Sequence, residues 1–114
     1  MKLKDILEVV DGHVVCGPER LNDEIIAGFA SDLMSDVLTL QTSNLILITG
    51  LANVQVIRTT EMADIGYIIL VRNKKAPPEI VKLASENNQV IIQCPYSMFK
   101  ACGLLFKAGL KPIY

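Results

Sequence analysis

Side chains that commonly carry catalysis or bind metal are scarce in this sequence. It holds one histidine, His13, and three cysteines, Cys16, Cys94 and Cys102. The cysteines are odd in number, widely spaced and never in a C-x-x-C, which excludes a zinc ribbon or a thioredoxin motif and argues against a closed disulfide framework. Three free thiols suit a reducing cytoplasm. A Ser/His/Asp triad would have to use His13, which follows Gly12 at the start of a short strand and reads as an ordinary surface or strand-edge residue. No cysteines or carboxylates cluster around it at a ligand spacing, so no metal site is expected. Neither sign of charge prevails. Eleven basic against twelve acidic residues leave a net charge of −1, with no overall pull toward nucleic acid or an acidic membrane. No apolar run reaches the roughly 18 residues of a membrane helix. Met1 to Val10 mixes Lys, Asp and Glu with apolar residues and lacks the apolar core of a signal peptide. Seven Gly and five Pro are too few for a low-complexity chain.

What is present is apolar and regular. Of 114 residues, 51% are hydrophobic and 20% charged, enough for a packed core and the size of one domain over residues 1–114. Leu3, Ile6, Leu7 and Val10 recur at helical spacing before Gly12, predicting a helix over 2–10. His13 to Cys16 is a short β-branched run broken by Gly17-Pro18. Ile25 to Ala30 reads as a second strand. Ser31-Asp32 opens a helix that ends near Gln41, with Leu33, Met34, Val37 and Leu38 inward and Ser31 or Asp32 as its cap.

Three strand–helix units follow. Leu45 to Thr49, Tyr67 to Val71 and Val90 to Gln93 are continuous apolar strands. The helices after them are predicted over 53–64, 79–87 and 98–108. Strands apolar on both faces are what a parallel sheet covered by helices requires. The expected fold is α/β and three-layered, with a mainly parallel sheet of about five strands and helices on both faces. The two early strands are expected to extend that sheet or pair at its edge.

The run Ser31-Asp32-Leu33-Met34-Ser35-Asp36-Val37-Leu38, then Leu45-Ile46-Leu47-Ile48-Thr49-Gly50 and Tyr67-Ile68-Ile69-Leu70-Val71, resembles the DRTGG-domain family. The resemblance runs from Met1 to about Leu110. It implies similarity to the N-terminal domain of HPr kinase/phosphorylase and an α/β fold of the MurE/MurF N-terminal type. It also implies kinship with domains that sit beside CBS domains, and with small stand-alone members found near iron-only hydrogenase genes. The signature pentapeptide Asp-Arg-Thr-Gly-Gly is absent. Thr49-Gly50-Leu51-Ala52-Asn53 and Arg72-Asn73-Lys74-Lys75 stand in the corresponding kinds of loop, so the motif residues carry over to neither. No G-x-x-x-x-G-K-[ST] occurs, and the kinase chemistry does not transfer.

In a parallel sheet, ligands bind beyond the carboxyl ends of the strands. Three loops are expected there: Thr49 to Asn53, Arg72 to Lys75, and Cys94 to Ser97. Gly50 permits close backbone approach. Asn53 and Ser97 fall at helix starts, where free N–H groups attract anions, and Lys74 and Lys75 add positive charge. Thr49, Gly50, Asn53, Lys74, Lys75, Cys94, Ser97 and Asp32 are the candidate ligand-binding residues, for a nucleotide or phosphorylated metabolite. The plainer reading makes Asn53 and Ser97 simple caps and the lysines a solvated turn. Asp32 and Asp36, four apart, are expected on one helix face, as a paired-carboxylate site or as a cap and a solvated acid. Cys94 is either a thiol activated by a helix N-terminus or a buried inert one.

The last helix carries Phe99 and Phe106 to one side of its core stripe, Met98, Ala101, Cys102 and Leu105. They are expected to be buried against the sheet or first helix, or to meet a second copy in a homodimer. The function these readings favour is a non-catalytic regulatory or ligand-sensing module. The alternatives are a small enzyme using Asp32/Asp36 or Cys94, and a purely structural dimer subunit. No cofactor can be assigned.

Overall fold

The computed structural model describes residues 1–114. Five helices and six strands follow in order: α1 (Leu3–Val9), β1 (His13–Cys16), β2 (Ala27–Ala30), α2 (Met34–Val37), β3 (Leu45–Thr49), α3 (Val54–Met62), β4 (Tyr67–Leu70), α4 (Pro78–Glu86), β5 (Val90–Gln93), α5 (Met98–Ala108) and β6 (Lys111–Pro112). One six-stranded sheet runs in the order β1-β5-β4-β3-β2-β6. All neighbours are parallel except β1, which lies antiparallel on β5. The fold is α/β, as the strand–helix alternation requires.

The strands are apolar throughout because both sheet faces are covered. On one face α1 and α5 bring Leu3, Ile6, Ala101 and Leu105 onto Ile46, Ile48, Ile69 and Ile92. On the other, α2, α3 and α4 bring Met34, Val37, Val56, Ile57, Ile80 and Ala84 onto Leu45, Leu47, Ile68, Leu70 and Ile91. Successive strand residues therefore enter opposite halves of the core, as the two-residue period of a strand dictates.

The differences from the sequence reading have physical causes. The sheet has six strands rather than about five. The additional one, β6, is two residues long and lies beside Ala27 and Gly28, too short to leave an alternating pattern. The helix expected from Ser31 to Gln41 is a single turn. Its start fails because Ser31 Oγ accepts the Leu33 N–H at 2.9 Å in a tight turn before the helix, while Asp32 is drawn to the end of β3. Neither residue caps α2, whose N-cap position is Leu33. Met34 and Val37 are buried, but Leu33 and Leu38 are 58% and 47% exposed, because one turn has only one inward face. Asp32 precedes the helix and Asp36 lies within it, so the two do not share a helical face.

Candidate functional site

The carboxyl ends of β2, β3, β4 and β5 lie along one edge of the sheet, and the loops that follow them form a rim. Asp32, after β2, reaches across to β3. Its Oδ1 accepts from Thr49 Oγ1 at 2.9 Å and from the Gly50 N–H at 2.7 Å. Its Oδ2 lies 3.6 Å from Arg72 Nη2, with the two side chains 44% and 52% exposed. Arg72 Nη2 also approaches the Gly50 carbonyl at 3.4 Å. A Cβ at residue 50 would collide with that guanidinium, so glycine is what lets Arg72 lie over the strand end.

The loop after β4 is fixed by its neighbour. Arg72 and Asn73 both adopt left-handed backbone, with φ of 60° and 57°, and the Lys74 N–H closes the turn on the Val71 carbonyl at 3.3 Å. The same turn lets Arg72 N–H donate to the Tyr96 carbonyl at 2.7 Å and Asn73 N–H to the Cys94 carbonyl at 3.0 Å. Lys74 and Lys75 project into solvent; Lys75 Nζ donates to Asn73 Oδ1 at 3.3 Å. Asn53 caps α3 through the Val56 N–H, and Ser97 caps α5 through the Lys100 N–H, both at 3.1 Å. Three helices of nine, nine and eleven residues begin at this rim, and their positive dipole ends add to Arg72, Lys74, Lys75 and Lys100. Lys100 Nζ lies 3.9 Å from the centre of the Tyr96 ring.

Thr49, Gly50, Asp32 and Arg72 thus form one connected network. Cys94, Asn53, Ser97 and the two lysines occupy the same edge without side-chain bonds into it. Cys94 is 1% exposed. Burial pushes its thiol up; an N–H from Tyr96 and the charge of Lys100 oppose that, and Asp11 adds to it. Of the two readings of Cys94, burial of the thiol favours the buried, protonated one. The rim loops line none of the three clefts of the molecule.

The largest apolar cleft, about 420 Å³, runs between β2, β6 and α5 and is lined by Phe29, Phe99, Cys102, Gly103, Phe106 and Leu110 among others. Phe99 and Phe106 are 90% and 68% exposed, so the internal burial allowed by the sequence does not occur. A second cleft, about 370 Å³, lies at the amino ends of β3, β4 and β5 and is mostly polar. There Arg20 donates to Asp23 Oδ2 and to the Tyr67 hydroxyl, each at 2.8 Å, and to the Asn88 carbonyl. Its guanidinium carbon is 4.8 Å from the Tyr67 ring centre. The Tyr67 hydroxyl donates to Asp23 Oδ2 at 2.8 Å. That bond, helped by Arg20 and opposed by burial, holds the Asp23 carboxyl below its usual range. Burial first, then the bond to Asp23, pushes the Tyr67 hydroxyl up, against the Arg20 charge. Sequence reasoning missed this network. Its members lie 44 to 68 residues apart across the longer links, and the only local signal was the Arg20/Asp23 spacing after Gly17-Pro18.

A six-stranded, mostly parallel sheet with helices on both faces and loops gathered at its carboxyl edge defines a three-layered α/β domain. The DRTGG domain sequence model matches residues 5–108, and the chain belongs to the DRTGG domain family. No curated protein matches it. Its fold is similar to a crystal structure of the CBS and DRTGG domains of the regulatory region of Clostridium perfringens pyrophosphatase, complexed with the activator diadenosine tetraphosphate. The TM-score is 0.73 at 18% sequence identity, over 91% of this chain and 45% of that one. No helix is long and apolar enough to cross a membrane.

Proposed function

We propose that this chain is a non-catalytic regulatory module that senses a phosphorylated nucleotide at the carboxyl rim of its sheet. The observation that carries the reading is Arg72, held over Gly50 beside Asp32 at the sheet edge where α3, α4 and α5 begin. An ion pair at 3.6 Å between half-exposed groups is worth about 0–1 kcal/mol, so an incoming phosphate can take Arg72 from Asp32 at little cost. Thr49, Gly50, Asn53, Lys74, Lys75 and Ser97 supply the surrounding donors and charge. A DRTGG domain in the regulatory region of a pyrophosphatase bound to diadenosine tetraphosphate supports the ligand class. The engagement of Asp32 with β3 and the raised Cys94 thiol favour sensing over catalysis. Three free cysteines support a reducing, cytoplasmic setting.

Thermal unfolding with diadenosine tetraphosphate, ATP, AMP and inorganic phosphate tests this. A ligand at one hundred times its dissociation constant adds about 2.7 kcal/mol. The gain is expected for at least one nucleotide and is expected to vanish in Arg72→Ala. Unchanged melting with every probe at millimolar concentration overturns the reading.

A homodimer is the second part of the proposal, and the exposure of Phe99 and Phe106 favours it. Gly103 lies between them on α5 with open space where a side chain would be, so a two-fold copy can set its own aromatics into the cleft. Burying the two rings recovers part of the roughly 1.5–3 kcal/mol that each forgoes in water. Sedimentation equilibrium is expected to give twice the 12.5 kDa chain mass, reverting to one chain in Phe106→Glu. A monomer at tens of micromolar protein rejects it.

A further inference from the structure

Helix α5 carries a glycine that nothing inside the chain accounts for. Gly103 lies in the middle of an eleven-residue helix, where glycine is the poorest residue after proline. Its φ is not positive, and a Cβ there would meet nothing within 4 Å beyond its chain neighbours and the helix backbone itself. Each of the other six glycines has a positive φ or an atom within 4 Å of where a Cβ would sit. Alanine at residue 103 would strengthen the helix and disturb nothing around it, so the single chain holds no reason for glycine there.

The residues beside Gly103 show what an outside reason would be. Phe99 stands four residues before it and Phe106 three after, all on one face of α5. The two rings are 90% and 68% exposed, and neither comes within 4 Å of the Cβ position at Gly103. The face therefore reads ring, gap, ring, along one wall of the apolar cleft. A surface with a projecting ring and, one turn away, a gap is complementary to itself. That is the requirement of an isologous two-fold contact.

We propose that each α5 receives an aromatic ring of the partner's α5 in the gap over Gly103, the two helices running antiparallel. This rests on the homodimer reading above and adds the contact and its orientation. Symmetry sets the orientation. A two-fold axis parallel to α5 would bring every residue level with its own counterpart, ring on ring and gap on gap. An axis perpendicular to α5 reverses the second helix and lets it slide, so that a ring meets a gap twice. Ridges of one helix then enter the grooves of the other, as in helix packing generally.

Gly103→Leu tests the gap, because an unspecific apolar contact gains from an added leucine whereas a gap is filled by it. Sedimentation equilibrium of the full chain is expected to show a dimer whose dissociation constant rises at least about tenfold in Gly103→Leu. Gly103→Ala, diluted until monomeric, is expected to melt above the unsubstituted chain. For the orientation, Lys107→Cys/Cys102→Ser is given a nitroxide label and mixed with ¹⁵N-labelled unsubstituted chain; Cys16 and Cys94 are buried. Line broadening is expected in the first turn of α5, at Phe99 and Lys100, and broadening confined to its last turn overturns the antiparallel pair. A dimer that Gly103→Leu leaves intact or tightens overturns this inference and leaves the homodimer reading standing. A monomeric unsubstituted chain overturns both. Unfolding of Gly103→Leu, with Gly103→Ala melting no higher, would show the space to be needed within the chain and overturns the inference as well.

Discussion

The two ends of the sheet are built from the same strands and helices yet are chemical opposites. At the carboxyl end, helices begin, arginine and lysines gather, and the polar links are partly exposed. At the amino end, helices stop, carboxylates and carboxamides gather, and the polar links reach into the core. The polarity follows from topology: each parallel strand is followed by a helix that returns the chain, so every strand–helix unit orients its dipole alike. The difference lies in how the arginines are held, here called stiffness. At the carboxyl rim the Arg72 side chain has only a 3.6 Å ion pair to Asp32 and a 3.4 Å approach to the Gly50 carbonyl, whereas at the amino end Arg20, Asp23 and Tyr67 close a triangle of 2.8 Å bonds.

Four experiments break or sharpen that contrast. The largest effect is expected from Ile69→Ala, which hollows the central strand that carries both ends. Ile69 is fully buried, and such truncations cost about 2–5 kcal/mol. Urea unfolding should show both ends lost together in one transition. Next, Arg20→Ala removes charge-assisted bonds to three groups and is expected to cost about 2 kcal/mol, read as a lower urea midpoint at unchanged slope. A midpoint equal to that of the unsubstituted protein would show that the triangle adds nothing.

The third experiment is acid unfolding. Asp23 titrates below its ordinary value of 3.8 in the folded state. Its contribution is complete above that value and is lost as pH falls through the lower folded one. Asp23→Asn should flatten that part of the acid limb. Tyr67 titrates above its ordinary 10.0, so its contribution is present below that pH and lost as pH rises through the raised value. Tyr67→Phe should flatten the alkaline limb. The smallest effect is expected from Arg72→Ala without ligand. It should change stability by no more than about 0.5 kcal/mol, as at exposed sites generally. A loss as large as that of Arg20→Ala would erase the difference in stiffness.

How much of each end was legible follows from sequence distance. The boundaries of β1, β3, β5 and α5 match the pattern residue for residue, because their apolar runs end in Gly, Pro or a capping residue. Asn53 and Ser97 were readable as caps for the same reason, since a cap bonds only three residues on. The link from Asp32 to Thr49 and Gly50 was not, because it spans a strand crossing. Asp32 therefore looked like a helix start. The amino-end triangle was invisible, because no periodicity encodes which loops meet after folding. Phe99 and Phe106 were seen to lie off the core stripe, but only the packed sheet shows that nothing inside the molecule covers them.

The ends of the strand order have a consequence for how copies of this chain can meet. A sheet edge with unpaired N–H and C=O groups invites another strand to join, the usual route to aggregation. On one side β6 offers only two residues, and one is Pro112, which has no N–H to donate. On the other, β1 runs antiparallel to its one neighbour, β5, with an irregular register between Val14 and Cys16, the kind of bulge that twists an edge. Both borders are therefore poor templates for growth, which works against continuing the sheet from one molecule into the next.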